Sequence, residues 1–213
     1  MYLKFLEPVI EEFTTGQYYK EVFNAKKEFF DKSGMVFEED PEFEQRMSIF
    51  MDWYIFDREL PTIDLTPIRY FYKKNKDTFN DDQLKIHNDF CNTKHSLFKM
   101  IKKTLFSNAL IIKDLFESKK YKITDSEIKD GFSSGDVFEG RIIPFRGSFE
   151  ISAGICFHPV EMRSFILNEI HKIKHQDHLK HNKLIFELSS MKLKHLRFQH
   201  IDVKHIYQFG SKF

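Results

Sequence analysis

The sequence is short of cysteine, proline and glycine, and each shortage excludes a class of protein. Two cysteines, Cys91 and Cys156, in 213 residues are too few for a disulfide framework or a structural zinc site, so we expect a protein of the reducing cytoplasm. Six prolines and eight glycines exclude collagen-like and low-complexity chains. No apolar run approaches the roughly 18 residues of a membrane-spanning helix. The acidic residues within MYLKFLEPVIEEF are atypical of a cleavable signal.

Core-forming residues, in contrast, are abundant. Hydrophobic side chains make up 41% of the chain, charged ones 31%, and 25 residues are Phe. This composition excludes an intrinsically disordered protein and is sufficient for a sizeable core. We expect a single α+β domain over residues 1–213. Its helical part covers about 1–106, its sheet about 108–157, and its carboxy-terminal helices about 159–197.

Charge is distributed unevenly along the chain. Residues 1–60 carry 7 basic and 14 acidic side chains, a net charge of −7, whereas residues 171–213 carry 9 basic and 3 acidic ones, a net charge of +6. Either the two ends pack against each other, or the basic end contacts a polyanion such as nucleic acid. The residues that would contact nucleic acid are Lys172, Lys174, Lys180, Lys183, Lys192, Lys194 and Arg197.

Helical periodicity dominates the first hundred residues. Residues 17–32 and 42–57 repeat apolar side chains at helical spacing, and the second segment is apolar on more than one side, which indicates a helix enclosed by its neighbours. We predict that this segment, begun by an Asp40 cap with Pro41 in the first turn, forms the central buried helix. A third periodic segment predicts a long helix over about 81–106.

The hydrophobic period changes after this segment. Residues 109–116, 121–124, 137–145 and 149–157 are short, rich in Ile, Val, Phe and Tyr, and separated by turn residues. Such segments are typical of β-strands. We predict a small four-stranded antiparallel meander that follows an amino-terminal helical layer and precedes two carboxy-terminal helices.

A carboxylate lies at the end of the predicted central helix. Asp57 follows Trp53 on this apolar segment, and burying a carboxylate without a partner is expensive. Arg58, Arg69 and Arg141 are the candidate partners. One interpretation is an ion pair that ties the helices to the sheet, and the other is a catalytic acid or an anion site at Arg141. If the helix lay on the surface, Trp53 would become a candidate binding residue.

Histidines cluster near the carboxyl end. His171, His175 and His178 follow one another in steps of four and three residues, which on a single helix would place them within about 60° of one another. Neighbouring histidines can share a Zn²⁺ ion with further ligands. The alternative is a solvated polar helix face, and we expect no cofactor.

Three segments together resemble a known family. DWYIFDREL, GDVFEGRIIPF and LSSMKLKHLRFQHIDVKHIY are similar to an uncharacterised bacterial family with a WF-FD helix end, a TP helix start and a GD-F-aR strand. Some of its relatives are associated with SEC-C zinc motifs. The present chain lacks the cysteines of that motif, so the resemblance implies one domain and no transferable activity.

No coherent catalytic constellation is present in the sequence. It contains neither a phosphate-binding GxxxxGK[ST] or GxGxxG loop nor a GxSxG nucleophile elbow. The leading hypothesis is therefore a non-enzymatic cytoplasmic interaction or accessory protein with an unknown protein partner. The alternative is a nucleic-acid-binding module that uses the basic carboxy-terminal region. A third hypothesis is an enzyme or metalloprotein that uses Asp57, Arg141 or the histidines.

Overall fold

A computed structural model describes residues 2–104, 109–124 and 131–210. A layer of amino-terminal helices packs against a small β-barrel, and further helices cover another side of that barrel. The helices are α1 (Leu3–Thr14), α2 (Tyr19–Ser33), α3 (Phe43–Phe56), α4 (Pro67–Asn75), α5 (Asp81–Phe90), α6 (Arg163–Ile173), α7 (His178–Arg197) and α8 (Val203–Ile206). The strands are β1 (Lys94–Lys103), β2 (Leu110–Asp114), β3 (Lys120–Ile123), β4 (Val137–Phe145), β5 (Ser148–Ile151) and β6 (Cys156–Phe157).

The six strands form one mixed sheet that closes on itself. Strand β1 pairs antiparallel with both β2 and β4, and β2 pairs with β3. Strands β3 and β5 run parallel through Ile123 and Phe149, and β5 returns to β4. The resulting order, β1-β2-β3-β5-β4 and back to β1, is that of the OB barrel, a small Greek-key barrel. Strand β6 extends the sheet beside β4.

This sheet corrects the predicted meander. The α+β class is confirmed, but the four-stranded antiparallel arrangement is wrong because β1 was assigned to a helix. The predicted helix over 81–106 ends at Phe90, and a turn at 91–93 leads into β1. Ser96, Leu97 and Phe98 are all buried, because the barrel interior covers one face of β1 and helices cover the other. A strand that is apolar on both faces lacks the alternation that identifies strands in sequences.

The central helix is α3, as predicted. Phe50 is 1% exposed and Trp53 is 8% exposed, and the Tyr54 hydroxyl donates to the Phe13 carbonyl at 2.8 Å. The predicted start is wrong by two residues, because Asp40 accepts the Phe37 amide instead of capping the helix. The helix begins after Glu42, whose φ of 64° places it in the left-handed region.

A second core fills the barrel. The side chains that point inward are apolar and come from all five barrel strands and the segments beside them. Phe98 contacts Phe138 with ring centroids 5.7 Å apart, and Tyr121 contacts Phe98 edge-to-face at 6.4 Å. Because the interior is filled, ligands can reach the barrel only at its outer faces and at its mouth.

Candidate functional site

An ion pair joins the helical layer to the barrel. The Arg141 guanidinium, on the outer side of β4, donates to the Asp57 carboxylate at the end of α3 and to the Thr93 hydroxyl at 2.9 Å. The side chain of Arg141 is 2% exposed and that of Asp57 is 30% exposed. The guanidinium also lies over the Phe56 ring, 4.9 Å from its centroid. Of the three candidate partners, Arg141 therefore forms the predicted interlayer ion pair.

Strand β4 also carries a buried carboxylate, Glu139, two residues before Arg141. Glu139 accepts from the Ser189 hydroxyl of α7 and lies 2.9 Å from His95 Nε2 of β1. Burial alone would raise the pKa of Glu139, but the hydrogen bond and charge of His95, with further help from Ser189 and Arg46, bring the pKa below its ordinary value. This arrangement fixes the His95 ring by one nitrogen. The other nitrogen, Nδ1, has no hydrogen bond to a described residue.

A third carboxylate, on α3, has an unusual protonation equilibrium. Burial raises the pKa of Asp52 to about 6, although the charges of Arg141 and His95 and the proximity of Ser152 favour its ionised form. Its Oδ2 atom is enclosed and has no hydrogen-bond partner among the described residues. Asp52 therefore takes up a proton more readily in the folded protein than in the unfolded chain.

We expect Asp52→Asn to stabilise the protein at neutral pH. Between about pH 4 and 6 the folded state holds a proton at Asp52 that the unfolded chain has released, so wild-type stability falls as pH rises through this window. The pKa of Asp52 differs by about 2 units between the folded and unfolded states, which changes the free energy of unfolding by at most about 3 kcal/mol. Urea unfolding from pH 4 to 7 should show the advantage of Asp52→Asn growing with pH. A difference that stays constant with pH would contradict the assignment.

An open cleft separates the end of the helical layer from the barrel mouth. Its volume is about 850 Å³. Residues from the ends of α3 and α5, from the starts of α4, β1 and α7, and from the β2–β3 turn line it. Asp57 and His95 reach this cleft, whereas Arg141 and Glu139 lie behind them. The two buried pairs thus form a wall of the cleft.

A strip of lysines covers the outer side of the barrel away from the helical layer. Cross-strand pairing aligns Lys99, Lys113 and Lys120 in one row and Lys102, Ile111 and Lys122 in the next. No carboxylate of a described residue forms an ion pair with any of these lysines. We define the lysine face as the outer surface formed by Lys99, Lys102, Lys113, Lys120 and Lys122.

The comparisons with known proteins give a family but no activity. A family model, described as a family of unknown function (DUF7986), matches residues 9–188. The chain belongs to this family. No curated protein and no solved structure matches the DUF7986 chain. The association of relatives with SEC-C zinc motifs stays a prediction. None of the described helices of the DUF7986 chain is long and apolar enough to cross a membrane.

The basic carboxy-terminal residues are partly neutralised by the acidic amino-terminal half of the DUF7986 chain. Arg197 Nε donates to Asp40 at 2.8 Å, and Lys192 lies 3.2 Å from Glu42. Lys172 and Lys183 pair with acids of their own helices, Glu169 and Glu187. Lys194 also has an interaction partner. These contacts favour the interpretation in which the two oppositely charged ends pack together.

The three histidines of the predicted metal face lie on different elements. His171 is on α6, His175 is in the connection, and His178 is the first residue of α7. The common helix face predicted for them is absent, because α6 ends at Ile173 and Asp177 caps a new helix. Within residues 2–104, 109–124 and 131–210, no group of three His, Cys, Asp or Glu is placed to hold a metal ion.

The remaining predicted binding residues have structural contacts. Trp53 packs against Phe29 and Phe186, with ring centroids 5.4 and 6.5 Å away. Arg58 pairs with Glu21 at 2.7 Å and with Glu28 at 2.8 Å. Arg58 thus links the end of α3 to α2 and is not part of the Asp57–Arg141 ion pair.

Sequence reasoning missed the lysine face and the Glu139–His95 pair. A signal for the face was present, because Ile111 and Lys113 alternate with buried residues, as do Lys120 and Lys122. Period-two alternation places such residues on one side of a strand. No local signal connects Glu139 with His95, since their contact depends on the pairing of β1 with β4.

Proposed function

We propose that the chain is a non-enzymatic cytoplasmic protein that binds single-stranded nucleic acid through the lysine face, with little sequence selectivity. The observation that carries this proposal is a row of like charges. Lys99, Lys113 and Lys120 are aligned on three neighbouring strands without a carboxylate from the described residues between them. Like charges directly opposite each other destabilise a sheet, and a bound polyanion would remove that repulsion.

The geometry of the face suits a phosphate backbone. Neighbouring strands lie about 4.8 Å apart, and successive outward residues of one strand lie about 6.8 Å apart. The five ammonium groups therefore originate from a compact grid on β1, β2 and β3. Lys102, Lys120 and Lys122 are exposed, and Lys99 and Lys113 are half-buried. Lysines presented in this way act as point charges that neutralise phosphates.

The type of barrel favours a single strand over a duplex. OB barrels bind oligonucleotides on the outer face of their second and third strands, where β2 and β3 carry Lys113, Lys120 and Lys122. Aromatic side chains on such faces stack on bases, but the apolar residue of this face, in the second row, is Ile111. We therefore expect binding that is directed mainly at the backbone.

The lysine face supports this function better than the carboxy-terminal region does. Arg197 and Lys192 pair with Asp40 and Glu42, so a nucleic acid would have to displace carboxylates there. The lysines of the face have no such competitors among the described residues. We therefore propose the barrel, and not α7, as the surface that binds nucleic acid.

The test is a charge-neutralised variant, Lys102→Gln/Lys113→Gln/Lys120→Gln/Lys122→Gln. Fluorescence anisotropy with a labelled oligo(dT) and oligo(U) of about 20 nucleotides should show affinity at about 50 mM salt falling at least tenfold. The slope of log affinity against log salt should fall by about 3, since each lost phosphate contact on a single strand removes about 0.7.

A variant with the same change in net charge serves as the control. Lys20, Lys27, Lys73 and Lys76 are exposed residues outside the barrel, and their combined replacement by Gln should leave affinity within about threefold. The proposal fails if wild type does not bind at low salt, or if both quadruple variants lose the same affinity.

A further inference from the structure

The open cleft has the size and position of a ligand site that is separate from the lysine face. Its volume of about 850 Å³ lies in the range of small-molecule sites, which occur at the mouths of barrels and between layers of a fold. The cleft is both at the mouth of a barrel and between two layers, because the helical layer forms one wall and the barrel mouth forms the floor. Lys119 lines the cleft, whereas its neighbour Lys120 points outward on the lysine face.

The floor of the cleft is apolar and aromatic. Pro144 and Phe149 are cross-strand partners on β4 and β5 and are both partly exposed. Ile142 and Tyr121 lie beside them and are buried. Rings and a prolyl surface that remain accessible at a barrel mouth would pack against a flat ligand moiety.

Some of the cations that line the cleft form no ion pair with a carboxylate of the described residues. Arg69 Nη2 donates to the Cys91 carbonyl at 3.2 Å, and Lys119 Nζ lies 5.1 Å from the centroid of the Tyr121 ring. Neither forms an ion pair with a described residue. The carboxylates of Asp57 and Glu117 are already paired with Arg141 and Lys94.

Glu59 is the acid that offsets this charge. It is exposed, lines the cleft, and forms no ion pair with a described residue. The cleft is lined by the three cations Arg69, Lys94 and Lys119 and by the three carboxylates Asp57, Glu59 and Glu117, so its formal charges balance. Arg69 and Lys119 form no ion pair with a described residue, so they are the cations available to bind an anionic ligand.

Fixed hydrogen-bonding groups complete the cleft. The side chain of His95 lines the cleft. Its Nε2 atom contacts Glu139, and its Nδ1 atom has no hydrogen-bond partner among the described residues. Asn92 and Asn182 provide further amide groups. A ring oriented by a buried carboxylate needs no reordering when a ligand arrives, which favours binding.

We propose that this cleft binds a small organic anion that carries a planar ring, of the size and chemistry of a nucleoside monophosphate. The ring packs on Pro144 and Phe149, and the anionic group is bound by Arg69 and Lys119. Nδ1 of His95 makes a hydrogen bond to the polar part of the ligand. The site does not depend on the lysine face, since no residue is shared between the two.

The experiment is isothermal titration of the full chain with AMP and UMP, with adenosine, uridine and inorganic phosphate as partial ligands. At least one monophosphate should bind, and its nucleoside and phosphate alone should each bind at least about tenfold more weakly. Arg69→Gln and Lys119→Gln should each lower the affinity about tenfold, as loss of a charged hydrogen bond does. Phe149→Ala should lower it as well.

Lys73→Gln is the matched control, because it neutralises an exposed lysine of α4 that belongs neither to the cleft nor to the lysine face. It should leave monophosphate affinity unchanged, and Lys119 is exposed, so its replacement should not disturb folding. The proposal is overturned if neither monophosphate binds, if phosphate alone binds as tightly, or if Lys119→Gln and Lys73→Gln have equal effects. Because oligonucleotide binding is measured with other variants, failure of either proposal leaves the other testable.

Discussion

Replacing Phe50 with alanine should lower the free energy of unfolding by about 3–5 kcal/mol, the range for removing a buried phenyl ring. Phe50 is 1% exposed on α3, and its ring lies 5.7 Å from that of Phe29, 5.9 Å from that of Phe30 and 6.2 Å from that of Tyr54. Replacement of Phe50 would leave a cavity bordered by aromatic rings of α2 and α3. None of these rings can fill the cavity without repacking. Urea unfolding followed by circular dichroism would measure the loss.

Phe23→Ala provides the control for this prediction. Phe23 also lies on a helix, α2, but is 58% exposed, so its replacement should change the free energy of unfolding by no more than about 0.5 kcal/mol. Similar losses from the two variants would show that α3 is not the enclosed helix of the fold.

Replacing Asp57 with alanine should cost about 2–4 kcal/mol of stability. The change removes the carboxylate that Arg141 contacts directly and leaves the buried guanidinium with the Thr93 hydroxyl and the Phe56 ring as contacts among the described residues. Removal of one partner of a buried pair typically costs 3–5 kcal/mol. The lower estimate here reflects the 30% exposure of the Asp57 side chain, through which water can reach the remaining charge.

The double variant Asp57→Ala/Arg141→Met separates the buried charge from the loss of packing. Methionine retains much of the apolar contact with Phe56 and carries no charge, so the double variant should be more stable than Asp57→Ala by about 1–3 kcal/mol. If the two substitutions instead destabilise additively, the guanidinium is not the source of the loss. Both variants should be compared by the same denaturant titration at constant salt.

The parts of the fold that local pattern determines were predictable. The apolar enclosure of α3 follows from its side-chain sequence, and the stop of α2 follows from Gly34, whose φ is 94°. The Asp57–Arg141 pair was among three alternatives, because a carboxylate on an apolar helix requires a cationic partner. The choice among Arg58, Arg69 and Arg141 needed the position of β4, which no local pattern contains.

The parts that depend on closure of the barrel were not predictable in the same way. Lys94–Lys103 reads as the continuation of α5 because its middle is buried on both faces, and only the pairing with β2 and β4 makes it a strand. Both candidate sites follow from this strand. The lysine face needs Lys99 beside Lys113, and the wall of the cleft needs His95 beside Glu139. One misassigned element therefore concealed both surfaces.

Strand β4 has a consequence for how the polypeptide acquires its structure during translation. Ile143 and Phe145 of β4 belong to the same apolar cluster as α1, α3 and α5, and β4 also contacts β1, β5 and β6. The amino-terminal helices therefore leave the ribosome well before β4, which supplies part of the apolar surface that covers them. We expect the nascent chain to expose Phe-rich segments until β4 has emerged, a period in which chaperones would limit aggregation.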